Sequence, residues 1–274
     1  PPYRRRLQTL SPPQVLITTP ETLQAILSAP KLRKHISNLR YVIVDELHEL
    51  ICDKRGTQLS VALERAKKIA GRKLQRIGLS ATIGEPKKVA NFLKGSDDEV
   101  YIVEVRSKKG MEMKVEYPKP LEADISNAVE LGISPIIAST LRIIMDKVRE
   151  ERGILCFTNT RIAAELIGSR ITKLLGEKSP YIAVHHSSLS KNVRKETEEA
   201  FKYGRLRGII STSSLELGID IGHVDLVIQV SSPREVTRML QRAGRSGHRV
   251  DRPIRALVIA TSLDDIFESS SIIE

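Results

Sequence analysis

The sequence predicts an α/β fold in which parallel sheets are flanked by helices. Three observations carry this. Short apolar runs such as Tyr41–Val44 and Ile154–Phe157 alternate with charged, amphipathic segments of helical length, the pattern of βαβ units. These runs have no polar interruption, as expected of strands buried on both faces. Each ends in carboxylates or hydroxyls, at the end of a strand where open α/β sheets bind ligands.

The 274 residues suffice for one large domain or two modest ones, and 41% are hydrophobic, enough for a real core. No apolar run is long enough to span a bilayer and no signal-peptide pattern opens the sequence, so no membrane partner is expected. Cys52 and Cys156 form no metal or disulfide pattern, which fits a reducing, cytoplasmic setting. The net charge of +11 favours a polyanionic partner, nucleic acid first. Aromatics are 4% and Trp is absent, so phosphate contacts are expected rather than base stacking.

Taken in order, residues 1–13 are rich in Pro and Arg and read as irregular. Residues 15–18 read as a strand. Thr19 reads as an N-cap with Pro20 in the first helical turn and Glu21 suiting the dipole. The N–H groups of such a start can hold a phosphate, and plain capping explains the pattern equally well. Strand 41–44 delivers Asp45 and Glu46 to its C-terminal end, with His48 close by. Adjacent carboxylates suit Mg²⁺, which takes one or two carboxylates plus water and substrate phosphates. They also suit the first turn of an acidic helix. An amphipathic helix ends near Gly71. A strand over 74–79 leads into Ser80 and Thr82, hydroxyls that can face a cleft or cap the next helix. Residues 100–105 read as another strand, and 106–120 as a charged linker with a possible strand at 113–117.

The second half repeats the alternation. A helix is expected within 136–149. Strand 154–157 runs into Thr158 and Arg161, and a helix covers 163–175. Strand 181–184 precedes His185 and His186, and helix 191–202 follows. Strand 208–210 enters Ser211 and Thr212, with Gly218 and Asp220 at a later turn. Hydroxyls and backbone N–H groups there suit phosphates, and an Asp suits a sugar hydroxyl; an ordinary polar loop has the same composition. Strands over 224–230 and 256–259 complete the set. In QRAGRSGHR, 241–249, Gln241, Arg242, Arg245 and Arg249 are interleaved with Gly244 and Gly247. Guanidinium groups so placed can stabilise a transferring phosphoryl group, or form a solvated helix end.

DELH at 45–48, SAT at 80–82, FTNTR at 157–161, STSSLELGID at 211–220 and QRAGRSGH at 241–248 occur in that order. They resemble motifs II to VI of superfamily 2 helicases, and TTPE at 18–21 resembles the motif preceding them. KRGTQLSVALERA, RIGLSATIGEPKKVANFL and HHSSLSKNVRKETEEAF narrow the resemblance to the large-helicase-related (Lhr) family, over nearly the whole chain. It implies two RecA-like lobes, over 1–110 and 111–274, enclosing ATP and Mg²⁺, with a nucleic-acid strand crossing both.

By resemblance Asp45 holds Mg²⁺ through water and Glu46 positions or deprotonates the attacking water. His48, Ser80 and Thr82 couple nucleotide state to strand movement. Arg245 is the arginine finger and Arg242 supports it. Gly218, Asp220 and Gln241 lie near the nucleotide. Thr19, Pro20, Thr158, Arg161, Ser211 and Thr212 contact the strand. The resemblance further implies a 3′-to-5′ DNA helicase linked to repair, acting on single-stranded or forked DNA, from a prokaryote, archaeal by its pattern. An RNA helicase or a non-catalytic nucleic-acid-binding fragment are the alternatives.

His248 stands where many superfamily members have Arg, as in the Lhr pattern. No G-x-x-x-x-G-K-[ST] loop occurs in these residues. The resemblance places that loop, its strand and its helix upstream, and winged-helix domains downstream of a chain that stops after the last strand of the second lobe. The first lobe is therefore expected to be incomplete, with exposed strand edges, and the isolated chain not to hydrolyse ATP.

Overall fold

A computed structural model of the chain describes residues 7, 9–51, 53–80, 85–95, 99–104, 110–176, 181–216, 220–247 and 253–274. The chain divides into two compact units, Pro1–Arg106 and Ser107–Glu274. Both are α/β with parallel strands.

In the first unit, helix α1 (Pro20–Ser28) starts at the Thr19 cap, and α2 (Pro30–Ile36) follows after Ala29. Strand β1 (Tyr41–Val44) leads through α3 (Leu47–Ile51) into the long α4 (Lys54–Ala70). Gly71, at φ 60°, closes α4 in the left-handed conformation that glycine adopts without strain. Strand β2 (Gln75–Gly78) pairs with β1 in parallel, Tyr41 opposite Gln75 and Val44 opposite Gly78. Helix α5 (Pro86–Lys94) follows. Val42 and Val44 face a core made with Leu27, Ala62, Leu63, Ala66 and Leu93. At Gly56 a Cβ would lie 2.0 Å from the Leu50 carbonyl oxygen, so only glycine lets α4 start against α3.

Three expectations are corrected here. Strand β1 is not buried on both faces, for Tyr41 is 61% and Ile43 64% exposed. Residues 15–18 form no strand, nor do 100–104; residue 105 lies outside the described set. A strand needs a hydrogen-bonded neighbour, and none of the described residues supplies one to these segments. Their apolar side chains remain in solvent: Val15, Ile17, Tyr101 and Val103 are exposed.

The second unit is a three-layer structure on a six-stranded, wholly parallel sheet. Its strands are β3 (Met111–Glu116), β4 (Ile154–Phe157), β5 (Ile182–His185), β6 (Gly208–Ser211), β7 (Leu226–Val230) and β8 (Ile254–Ile259), in the spatial order β3-β8-β7-β4-β6-β5. Alternate side chains of a strand point to opposite faces. Ile154 and Cys156 therefore join one core with α6 (Glu122–Leu131), α7 (Pro135–Glu150) and α8 (Arg161–Leu175). Leu155 and Phe157 join the other, with α9 (Lys191–Lys202), α10 (Val236–Ala243) and α11 (Leu263–Ile273). Every residue of β4, β6 and β7 is buried, as in central parallel strands, with Ser211 and Gln229 the polar members.

These differences set local stability. Amide exchange tracks the free energy of local opening. Amides of β4, β6 and β7 should exchange at least tenfold more slowly than those of β1 and β2 in native-state hydrogen exchange. Equal protection in the two sheets would contradict this.

Candidate active site and nucleic-acid interface

In the first unit the site forms where β1 and β2 end side by side. The Leu79 N–H donates to the Val44 carbonyl at 2.9 Å, and the Leu47 N–H to the Leu79 carbonyl at 2.9 Å. Between them the chain turns at Glu46, which has a φ of 49°, unusual for a residue with a Cβ. Such strain costs on the order of 1 kcal/mol or more and collects at functional sites. The Glu46 N–H donates to Asp45 Oδ1 at 3.0 Å. Asp45 is exposed and Glu46 half-buried. Accessible, adjacent carboxylates at a strand's C-terminal end fit Mg²⁺, whose shell is completed by water and phosphate oxygens.

His48 ties this turn to the neighbouring strand end. Its Nδ1 lies 3.1 Å from Ser80 Oγ, 32 residues away in sequence. Its Nε2 faces Glu46 Oε2 at 3.7 Å and Glu49 Oε1 at 3.5 Å. Nδ1 and the Ser80 hydroxyl share a hydrogen bond while Nε2 is turned to the two carboxylates. Asp45, Glu46, His48 and Ser80 thus form one cluster. Thr82 lies outside the described residues.

Thr19 is exposed, and its hydroxyl is engaged as a cap. Oγ1 accepts from the Thr22 N–H at 3.3 Å and donates to Thr22 Oγ1 at 3.2 Å. Pro20 is the first residue of α1. Glu21 accepts from Arg55 Nε at 2.6 Å, linking α1 to α4, and this guanidinium holds the Glu21 carboxyl down at about 2.

In the second unit, β4, β6 and β5 end together, with Phe157 and His185 both opposite Ser211. Thr158 and Ser211 are buried beneath this edge. The Thr158 N–H donates to the Ser211 carbonyl at 2.8 Å, and its hydroxyl to the Thr160 carbonyl at 3.0 Å. Ser211 Oγ donates toward the carbonyls of His185 at 3.1 Å and Thr212 at 3.0 Å. Both hydroxyls therefore shape the loops. Arg161, exposed at the start of α8, bonds Ser188 Oγ, and Thr212 is half-buried.

His185 is wholly buried under the same edge, with Nδ1 2.8 Å from Ser214 Oγ and Nε2 2.9 Å from Glu198 Oε1. Burial pushes its pKa down, against the upward pull of Glu198. His186 sends Nε2 to Glu165 Oε1 at 2.6 Å and accepts the Ser188 N–H on Nδ1 at 3.3 Å.

Arg242 and Arg245 meet at Glu216. Arg242 is 2% exposed. Its Nε donates to Glu216 Oε1 at 2.7 Å, Nη2 bonds the same oxygen, and Nη1 bonds Gln229 Oε1 and reaches Asn159 Oδ1 at 3.4 Å. The guanidinium carbon lies 5.1 Å from the centre of the Phe157 ring. Burial pushes the Arg242 pKa down while Glu216 holds it up. Arg245 is half-buried, and its Nε donates to the Glu216 carbonyl at 3.0 Å. Gln241 is half-buried on α10. Asp220 is exposed and pairs with Lys202 Nζ at 2.5 Å. Gly218, His248 and Arg249 lie outside the described residues.

Sequence reasoning missed Glu216, Gln229 and the His185–Glu198 pair. A signal existed for one of them: Gln229 interrupts an otherwise apolar strand, and a buried polar side chain demands a partner.

The family model of the DEAD/DEAH box helicase matches residues 1–90, and that of the helicase conserved C-terminal domain matches residues 136–250. With the parallel α/β units and the clustered motif residues, these place the chain among superfamily 2 helicases, and its fold is that of two-lobed, RecA-like helicases such as Lhr. Within that class the chain belongs to the Lhr family. The ATP-dependent helicase Lhr-Core of Methanothermobacter thermautotrophicus is 41% identical over 278 residues, covering 99% of this chain and 31% of that protein. The Lhr helicase/uracil glycosylase of Escherichia coli is 35% identical, covering 100% of this chain and 20% of that protein. The structure of Mycobacterium smegmatis helicase Lhr bound to ssDNA and AMP-PNP superimposes with a TM-score of 0.86 at 36% identity, covering all of this chain and 35% of that one. The chain thus spans about a third or less of the length of these relatives. Archaea and bacteria both supply them, so the similarity does not fix an archaeal source. Among the described residues no single helix is long and apolar enough to cross a membrane.

Proposed function

We propose that the chain is a core segment of an ATP-dependent helicase that moves along nucleic acid. The cluster of Asp45, Glu46, His48 and Ser80 carries this reading, because it joins two motifs at adjacent strand ends. Mg²⁺ on the ATP phosphates would neutralise developing charge. Asp45 would be the residue that holds it. Glu46 orients the attacking water and accepts its proton. The bond from His48 to Ser80 transmits a change at the carboxylates to the end of β2, coupling nucleotide state to strand movement together with Thr82.

In the second unit Arg245 acts on the transferred phosphoryl group, where such a finger is worth about 10³–10⁵ in rate. Arg242 supports it from the buried cluster. Gly218, Asp220 and Gln241 serve the nucleotide. Thr19, Pro20, Arg161 and Thr212 contact the phosphate backbone, with Thr158 and Ser211 shaping the loops that present it. The strand is DNA, which the relative solved with ssDNA supports, and movement 3′ to 5′ in repair is carried over from the Lhr resemblance alone.

No G-x-x-x-x-G-K-[ST] occurs in these 274 residues. The chain alone therefore binds strand without turnover, and the intact protein hydrolyses ATP. ATP hydrolysis should be measured on both, with single-stranded DNA and RNA of one sequence. The expected result is DNA-stimulated hydrolysis by the intact protein only. Stimulation by RNA alone would make the protein an RNA helicase, and hydrolysis by neither would leave a nucleic-acid-binding protein.

A further inference from the structure

Most of the chain's net positive charge falls within its first 106 residues. Residues 1–106 hold 19 Lys and Arg against 11 Asp and Glu, a net +8 of the chain's +11. Within them, residues 22–44 carry four cations and residues 65–84 carry six, and neither stretch contains an Asp or Glu.

The fold brings these two stretches together. Leu32, Ile36 and Leu39 share one core cluster with Ala62, Ala66, Ala70 and Leu74, so α2 packs on the C-terminal half of α4. The Gln75 N–H donates to the Arg40 carbonyl at 3.0 Å, which sets the approaches to β1 and β2 side by side. Helix α2 ends at Ile36, five residues before β1 begins, and α4 ends at Ala70, five residues before β2 begins. Both helix C-termini therefore lie at the N-terminal end of the sheet. Arg33, Lys34, Arg40, Lys68, Arg72 and Lys73 gather there, all exposed. Asp45, Glu46 and Ser80 lie at the opposite end, a strand length of roughly 13 Å away.

Part of this charge suits the helix ends. Each helix C-terminus carries about half a negative elementary charge. Two such ends offset about one of the six positive charges, so the pole stays strongly cationic. Such a surface recruits a polyanion through its backbone without reading sequence.

We infer that this basic pole of the first unit is a second nucleic-acid contact, distinct from the carboxylate end, and that it holds the phosphate backbone of duplex. The duplex is the occupant because it presents one charge per roughly 1.7 Å of axis, the densest match to a compact set of cations. This rests on the helicase reading only in that a helicase meets duplex; binding at the pole requires neither ATP nor the carboxylates.

The test uses the 274-residue chain and a blunt DNA duplex without nucleotide, with affinity measured by fluorescence anisotropy from 50 to 300 mM salt. The variant Arg33→Gln/Lys34→Gln/Arg72→Gln changes three exposed side chains outside the core. Each lost phosphate contact lowers the salt slope by about 0.9 for duplex, so the slope should fall by about 2 to 3. Affinity near 100 mM salt should fall roughly 10- to 100-fold. Lys195→Gln, which removes an exposed cation from the second unit, should leave duplex binding unchanged. A triple variant that binds duplex with the parent's affinity and slope overturns the inference. So does a variant that keeps duplex but loses polyglutamate, which would assign the pole to an acidic polypeptide. An Arg161→Gln variant in the same assay separates this from the helicase reading, since it should weaken single-strand binding and spare the duplex.

Discussion

Replacing Arg242 with Ala should destabilise the second unit by about 3–5 kcal/mol, the cost of breaking a buried ion pair from one side. The guanidinium is buried, bonds the Glu216 carboxylate through two of its nitrogens and reaches Gln229. Removing it leaves a carboxylate that is 8% exposed, and an amide oxygen that is wholly buried, without this partner. For a unit of this size the loss lowers Tm by on the order of 10 °C. Lysine should rescue only part, because an ammonium cannot reproduce the planar fork. The double variant Glu216→Leu/Arg242→Met should lose much less than Arg242→Ala, since replacing both members of a buried pair by apolar groups is often close to neutral. Urea unfolding monitored in the second unit measures all three. A change below 1 kcal/mol for Arg242→Ala would show that the pair is not formed in solution.

This cluster also shows where sequence reading stops. Read along the chain, Arg242 is one of three arginines at a helix end, with nothing to separate a ligand from a core ion pair. Its partners come from three other places: Asn159 after β4, Glu216 after β6 and Gln229 within β7. Spacing in sequence carries no information about such tertiary contacts. Strand β1 and helix α9 were legible to the residue, because each is a uniform run, apolar in the first and charged in the second, with clear ends. The shorter α2 and the terminal α11 were not, and neither was α6, whose acidic first turn and Gly132 C-cap were available as signals. Residues 15–18 and 100–104 have strand composition without strand structure. Composition describes what a segment can do, and pairing depends on a neighbour. The second face of β1 was misread for the same reason, because burial belongs to the whole sheet.

The position of the carboxylate pair at the end of β1 was legible, and its local geometry was not. No local pattern announces that the backbone at Glu46 turns through a positive φ, or that His48 spans to Ser80. Together they set the two neighbouring carboxylates in different surroundings. The turn leaves Asp45 exposed and draws Glu46 half under cover, beside His48.

From that asymmetry follows the largest expected effect on activity. In the intact protein, Glu46→Gln should lower ATP turnover by about 10²- to 10⁴-fold, the usual contribution of a positioned general base. Gln has the shape of Glu and keeps an oxygen toward His48, so the turn and the bond to Ser80 should survive. What disappears is the ability to take a proton from water. Because Asp45 is unchanged, the affinity for Mg²⁺ and ATP should stay within a few-fold of the parent, and single-strand binding should be retained. Asp45→Asn should behave differently, raising the Mg²⁺ concentration needed for half-maximal activity. Turnover against Mg²⁺ and ATP concentration separates the two. A Glu46→Gln protein that keeps more than a tenth of its turnover would move the proton acceptor elsewhere in the site.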